Sequence, residues 1–297
     1  MLSKHLFRYR DLNLQIGMDL YIMKKNIFFI NAYGCPAVSG DLSKMFELLK
    51  EKGISGLQIA YDELLMLDKE EFKRLLGEND VEVLCTHVVS RLCARDDEIF
   101  CGAVNLCKEA LCDISHLGCK YIMPVPFYPS DIDGFSDKQR ALKRYAEALG
   151  IIIQDAKKYG IKVIIENISR NLLPFSTIED VEFLVNNVQG LEFCFDTGNF
   201  FCTNTNELEA FERLKDKINM VHVKDFGLCE NDGYECEDGK RVCHVDFGKG
   251  EVGLCEVMKR LAEYKPDVPY VIEVHSESPE KTAIDQAIDF FDGIGKE

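Results

Sequence analysis

From Asn26 onward the chain alternates short apolar runs with longer amphipathic stretches. The runs at 27–32, 56–60, 81–87, 120–125, 162–166, 191–196, 220–224 and 270–274 are rich in β-branched and aromatic residues and nearly continuous in hydrophobicity. Strands covered on both faces look like this. Helical periodicity fills 41–52, 69–76, 96–116, 138–159, the segment ending at 187, 207–214, 251–264 and 280–291. Ser39 or Asp41 offers a cap for the first helix and Gly53 its stop, while Ser176-Thr177-Ile178-Glu179 reads as a capping box. Eight strand–helix units spaced roughly 30 residues apart predict a single α/β domain, a (β/α)8 TIM barrel over residues 25–297. A doubly wound open sheet would want a Gly-rich phosphate turn after its first strand, and Asn31-Ala32-Tyr33-Gly34-Cys35-Pro36 is not one. Residues 1–24 fit no unit and stand apart as an N-terminal extension of unknown role.

Active sites of such barrels form where the carboxyl ends of the strands meet their loops. The last four strands each bring a metal-ligand type to that end: Glu166, Asp196, His222 and Glu273. A single acid at a strand end is more often a helix cap or a surface group. Four on successive strands are a different observation, because three carboxylates and an imidazole converging there repel one another unless a cation is bound. Oxygen-rich ligation with one nitrogen suits a divalent ion such as Mn, Mg or Co.

The ordered set Ile165-Glu166-Asn167, Asp196-Thr197-Gly198-Asn199, His222-Val223-Lys224-Asp225, Gly248-Lys249-Gly250-Glu251-Val252 and Ile272-Glu273 resembles the sugar phosphate isomerase/epimerase family with its xylose isomerase-like barrel. That family includes ketose 3-epimerases, hydroxypyruvate isomerase and inosose dehydratase, with abasic-site endonucleases as distant relatives. The resemblance spans residues 26–292. It implies that Glu166, Asp196, His222 and Glu273 hold one divalent metal ion (Mn, Co, Mg or Zn) and that Glu166 and Glu273 also move protons.

The chemistry is coherent on its own terms. A cation bound by a carbonyl and its neighbouring hydroxyl stabilises an enediolate and acidifies the adjacent C–H, which a carboxylate then deprotonates. The expected activity is a metal-dependent isomerase or epimerase of a sugar, sugar phosphate or keto-polyol. A dehydratase or lyase passing through the same enediolate is the alternative. An abasic-site-type phosphodiesterase needs more histidines than the six present, and a non-catalytic sugar-binding barrel is the remaining reading.

Three positions depart from the family pattern. Asn199 stands where many of the epimerases carry His, Phe226-Gly227-Leu228 where an Arg is common, and Gln58 where the second strand often ends in Glu. Further candidates for substrate binding are His87, Asn199, Lys224 and Arg170. Lys224 shares the strand face of His222 by parity, with an ion pair to Asp225 as its simpler role. His87 can equally be a hydrogen-bonded barrel histidine, and His275 falls on the parity of Glu273. Cys229, Cys236 and Cys243 recur every seven residues beside His244, a spacing wider than zinc knuckles use, and two Asp-Gly pairs suggest a hairpin there that lids the site.

Charge and cysteine usage narrow the setting. A net charge of −16 opposes nucleic acid and anionic membrane surfaces, so the expected partner is a small sugar-like molecule. Thirteen cysteines scattered without a C-x-x-C pair fit reduced thiols and a cytoplasmic location. Lys4, Arg8 and Arg10 resemble the start of a signal peptide, but Asp11, Asn13, Gln15 and Asp19 break up the apolar run such a peptide needs. Phe290-Phe291 can serve a homo-oligomer interface or pack on the barrel.

Overall fold

Apolar residues occupy both faces of the strand runs, and the closed sheet they form gives each face its own cover. The computed structural model describes residues 23, 26–30, 40–133, 135–169, 173, 175–230, 233–236, 238–273 and 283–294. Their strands are β1 (Ile27–Ile30), β2 (Gly56–Ala60), β3 (Glu82–Val89), β4 (Tyr121–Val125), β5 (Lys162–Glu166), β6 (Leu191–Asp196), β7 (Ile218–Val223), β8 (Phe226–Leu228), β9 (Tyr234–Glu235), β10 (Arg241–His244) and β11 (Tyr270–Ile272). Eight of them close a parallel barrel in the order β1-β11-β7-β6-β5-β4-β3-β2, as expected of a (β/α)8 fold. The other three form a small antiparallel sheet, β8-β10-β9, in the loop after β7. The helices are α1 (Leu42–Glu51), α2 (Tyr61–Met66), α3 (Lys69–Asn79), α4 (Asp97–Ser115), α5 (Phe135–Ala156), α6 (Ile178–Asn187), α7 (Glu207–Leu214), α8 (Leu254–Tyr264) and α9 (Ala283–Gly293).

Two apolar layers follow from strand alternation. Val163, Ile165, Phe193, Phe195, Val221 and Ile272 pack outward against helix residues such as Leu149, Val181, Phe211 and Val257. Ile164, Cys194, Met220 and Val271 point into the barrel and meet Phe28 and Leu84 there. Two residues beyond each of those four stands a predicted ligand, Glu166, Asp196, His222 or Glu273. Strand parity therefore aims all four into the mouth of the barrel.

Local signals explain most boundaries. Asp41 caps α1 by accepting from Lys44 N at 3.1 Å, and Gly53, at φ +66°, takes the left-handed turn that ends it. The capping box of α6 uses Thr177 and Asp180, one residue later than the pair read from sequence. Ser176 is fully buried instead, donating to Leu173 O at 3.1 Å and accepting from Lys138 Nζ at 3.2 Å, so its hydroxyl is not available to the helix. Helix α2 was not expected from the sequence, being six residues long with no side-chain cap. It is held by tertiary contacts, with Leu64 buried and Tyr61 Oη donating to Asp113 at 2.9 Å.

Met23, assigned from sequence to the extension, is fully buried among the residues between barrel and helices. Phe291 packs edge-on against Tyr270 and Phe290 against Phe247, so this pair serves the body of the barrel.

Candidate metal centre

Side chains just past the strand ends lock β5, β6 and β7 at one level. Asn167 accepts from Asp196 N at 2.9 Å through Oδ1 and donates to Asp196 O at 3.1 Å through Nδ2. Thr197 Oγ1 accepts from Lys224 N at 2.9 Å and donates to Lys224 O at 2.8 Å. Asp196 Oδ1 accepts from the backbone N–H groups of Gly198 at 2.9 Å and Asn199 at 2.8 Å, which leaves Oδ2 for the site. Sequence reading did not single out Asn167 or Thr197. Their signal was position, since each directly follows a ligand.

Glu166, Asp196, His222 and Glu273 each present one ligand atom, all within 4.8 Å of one another. His222 Nδ1 lies 2.8 Å from Glu166 Oε2 and 3.4 Å from Glu273 Oε2. Lys224 Nζ lies 2.8 Å from Glu273 Oε1, 3.1 Å from Asp196 Oδ2 and 3.2 Å from Asn199 Oδ1. Glu166 Oε2, Asp196 Oδ2 and His222 Nδ1 are buried and make no hydrogen bond among the described residues. Adjacent ligands of an octahedral ion with bonds of about 2.1 Å are about 3 Å apart, which matches the closest of these spacings. With His222 neutral, as a metal ligand must be, three carboxylates set against one ammonium leave two negative charges, the charge that a divalent cation brings. Donor chemistry, spacing and charge all fit such an ion.

The electrostatics agree with a crowded anionic pocket. Burial raises the Asp196 carboxyl to about 6, with Glu273 and Glu166 pushing the same way and Lys224 opposing them. Burial pulls the Lys224 ammonium down, but Asp196 and Glu273 outweigh it, so Lys224 stays charged. Burial likewise opposes protonation of His222, and Cys194 and Glu166 outweigh it. His87, whose Nδ1 is buried without a hydrogen-bond partner among the described residues, is held below its usual value by burial, against the charges of Glu166 and Glu273.

Of the other sequence candidates, Lys224 meets the predicted ligands and not Asp225. The Asp225 Oδ2 atom is taken by the backbone N–H groups of Gly248 at 2.8 Å and Gly250 at 3.0 Å. Asn199 is 2% exposed and spent inside the framework, accepting from Lys224 and donating to Asn167 O at 2.9 Å. Arg170 and His275 lie outside the described residues. Gln58, noted from sequence only as a departure, is buried with its Oε1 3.0 Å from His222 Nε2.

The loop after β7 does contain a hairpin, β9 to β10, turning at Gly239 with φ +82°. Cys236 packs there with Cys202, Phe226 and Val242. Among the described residues, the strand-end quartet is the one metal-ligand group, and no disulfide joins two cysteines. Among them, too, no helix is long and apolar enough to cross a membrane.

A family model for the xylose isomerase-like TIM barrel matches residues 46–294. No curated protein matches the chain in sequence. Among solved structures, 3-keto-D-glucoside 4-epimerase YcjR from E. coli superposes with a TM-score of 0.68 at 18% identity, covering 90% of this chain and 98% of its own. D-Allulose 3-epimerase from Methylomonas sp. gives 0.70 at 15% identity, covering 90% and 96%. The probable 3-DHS dehydratase AsbF from Bacillus anthracis gives 0.68 at 14%, covering 90% and 98%. At these identities the likeness is one of fold.

Proposed function

The chain belongs to the xylose isomerase-like TIM barrel family, and from that premise we propose that it is a divalent-metal-dependent isomerase or epimerase of a sugar, sugar phosphate or keto-polyol. One observation carries this reading. Asp196 and His222 keep at most 1% of their side chains exposed, whereas Glu166 and Glu273 keep 15% and 14%. The first two can only anchor a cation. The other two face the same centre and still reach an incoming molecule.

A divalent ion held by this quartet would polarise a substrate carbonyl and acidify the C–H beside it. The protein supplies the rest. Glu166 and Glu273 flank Asp196 and His222 around the barrel, since β6 and β7 lie between β5 and β11. Two carboxylates so placed can remove a proton from one side of a carbon and return one from the other. Lys224 holds Oε1 of Glu273, leaving Oε2 turned toward His222. His87 feels the charges of Glu166 and Glu273, and its unpaired Nδ1 is suited to a substrate oxygen. Asn199 acts through Lys224 by accepting from its ammonium.

Loss of water after the same proton abstraction is the second reading, favoured by the fold shared with the probable dehydratase AsbF. The deciding experiment combines elemental analysis of the purified protein with incubation of a keto-sugar panel in deuterated buffer containing Mn or Co. Deuterium entering the carbon beside the carbonyl, with no loss of water from the product, is the expected result. A product lighter by one water supports the dehydratase. Glu166→Gln and Glu273→Gln are each expected to slow exchange by about 10²–10⁴-fold. Protein that binds no metal and exchanges no hydrogen across the panel contradicts the enzymatic reading.

A further inference from the structure

Leu57 and Ile59 on β2 face the helix layer, so Gln58 between them points into the barrel. There its side chain, 1% exposed, reaches past β1 and β11 to β7 and sets Oε1 3.0 Å from His222 Nε2. An amide oxygen can only accept, so in a neutral ring this contact puts the proton on Nε2 and the lone pair on Nδ1. The opposite arrangement would turn the amide over, with its NH2 donating to Nε2 and an Nδ1–H donating to Glu166. Glu166 Oε2 is close enough at 2.8 Å, yet among the described residues Nδ1 makes no hydrogen bond. Among the described residues no other hydrogen bond orients the amide, since Gln58 Nε2 lacks a partner there.

We infer that Gln58 is a positioning residue that fixes the tautomer of His222 and so turns the Nδ1 lone pair toward the cation. The inference rests on the metal reading proposed above. It also gives a physical sense to an amide at this position: the oxygen restrains the imidazole as a carboxylate would, without adding a fourth negative charge to a pocket that already carries three carboxylates.

The test uses full-length protein labelled with 15N-histidine, with the His222 signals assigned by comparison with His222→Asn. Two-bond 15N–1H spectra are recorded with Zn, and without metal at a pH where the ring is neutral. The wild type is expected to show a protonated Nε2 in both. Gln58→Met, which keeps the length but removes the acceptor, is expected to populate the Nδ1–H form and to weaken Zn or Mn binding in calorimetry by about 10–100-fold. Gln58→Glu restores an acceptor and is expected to restore the Nε2–H form. A merely structural role would lower stability without moving the tautomer. A protonated Nδ1 in neutral wild-type protein overturns the inference, as does Gln58→Met with unchanged tautomer and affinity. If Gln58→Met fails to fold, the wild-type and Gln58→Glu spectra decide. If the wild type binds no metal, the functional reading fails, while the metal-free spectrum still decides the tautomer.

Discussion

Lys224 is an ammonium, 6% exposed, placed between two carboxylates, and the energetics of that placement are asymmetric. Making a buried ion pair gains little net, but deleting one partner leaves uncompensated charge at a cost of about 3–5 kcal/mol. Metal-free Lys224→Met is therefore expected to unfold at clearly lower urea than the metal-free wild type, with saturating Mn narrowing the gap. Equal midpoints without metal would show that Lys224 does not balance the quartet. Asp196 adds a pH dependence whose sign is fixed. Its folded-state value, about 6, lies above the ordinary 3.8, so the native state holds this proton more tightly than the unfolded chain. The stability from that proton is complete below about 4 and lost as pH rises through about 6. A cation must displace this proton and the one held by His222, so the apparent metal affinity is expected to fall by at least about tenfold per unit below pH 6, measurable by calorimetry at two pH values. At this scale the ligands were legible because strand parity and strand ends suffice to find them. Gln58, Asn167 and Thr197 were not, because their partners are 164, 29 and 27 positions away and only closure of the barrel brings them together.

Among the elements, the antiparallel sheet after β7 is fastened to the site by its first residues. Phe226 of β8 packs against His244 of β10 at 4.8 Å between ring centroids, while Lys224 Nζ sits 5.8 Å from the centroid of the Phe226 ring. The Asp225 carboxylate then ties this start to the turn at Gly248–Gly250. Gly250 has no room for a side chain, because a Cβ there would overlap Asp225 Oδ1 and Phe226 O. Gly250→Ala is expected to break the Asp225 fastening and to raise amide hydrogen exchange through β8 and β10 by an order of magnitude or more, leaving β5 and β6 protected. The hairpin was foreseeable from its Asp-Gly pairs. The fastening was not, since an aspartate and two glycines 23 and 25 residues later announce no contact in sequence. The same limit explains the capping box, where either Ser176 or Thr177 satisfied the pattern and burial chose between them.

For the whole molecule, barrel closure concentrates the charges of the quartet while much of the net −16 is carried elsewhere. A ligand that binds the folded state at a hundred times its Kd stabilises it by about 2.7 kcal/mol. Chelation with EDTA is thus expected to lower the melting temperature by several degrees, and Mn or Co to restore it. A melting temperature indifferent to both would contradict a cation at the quartet.

The closed sheet also carries one irregularity. Pairing between β2 and β3 slips at Leu57/Gln58, so that Leu84 has no opposite number and both Leu84 and Cys85 face the interior. Counting in twos up β3 from outward Val83 would set His87 among the helices. The spare residue reverses the count and delivers the imidazole to the mouth. Excising Leu84 is thus expected to remove the slip and still deliver His87 to the mouth, while every metal-ligand candidate stays where it was.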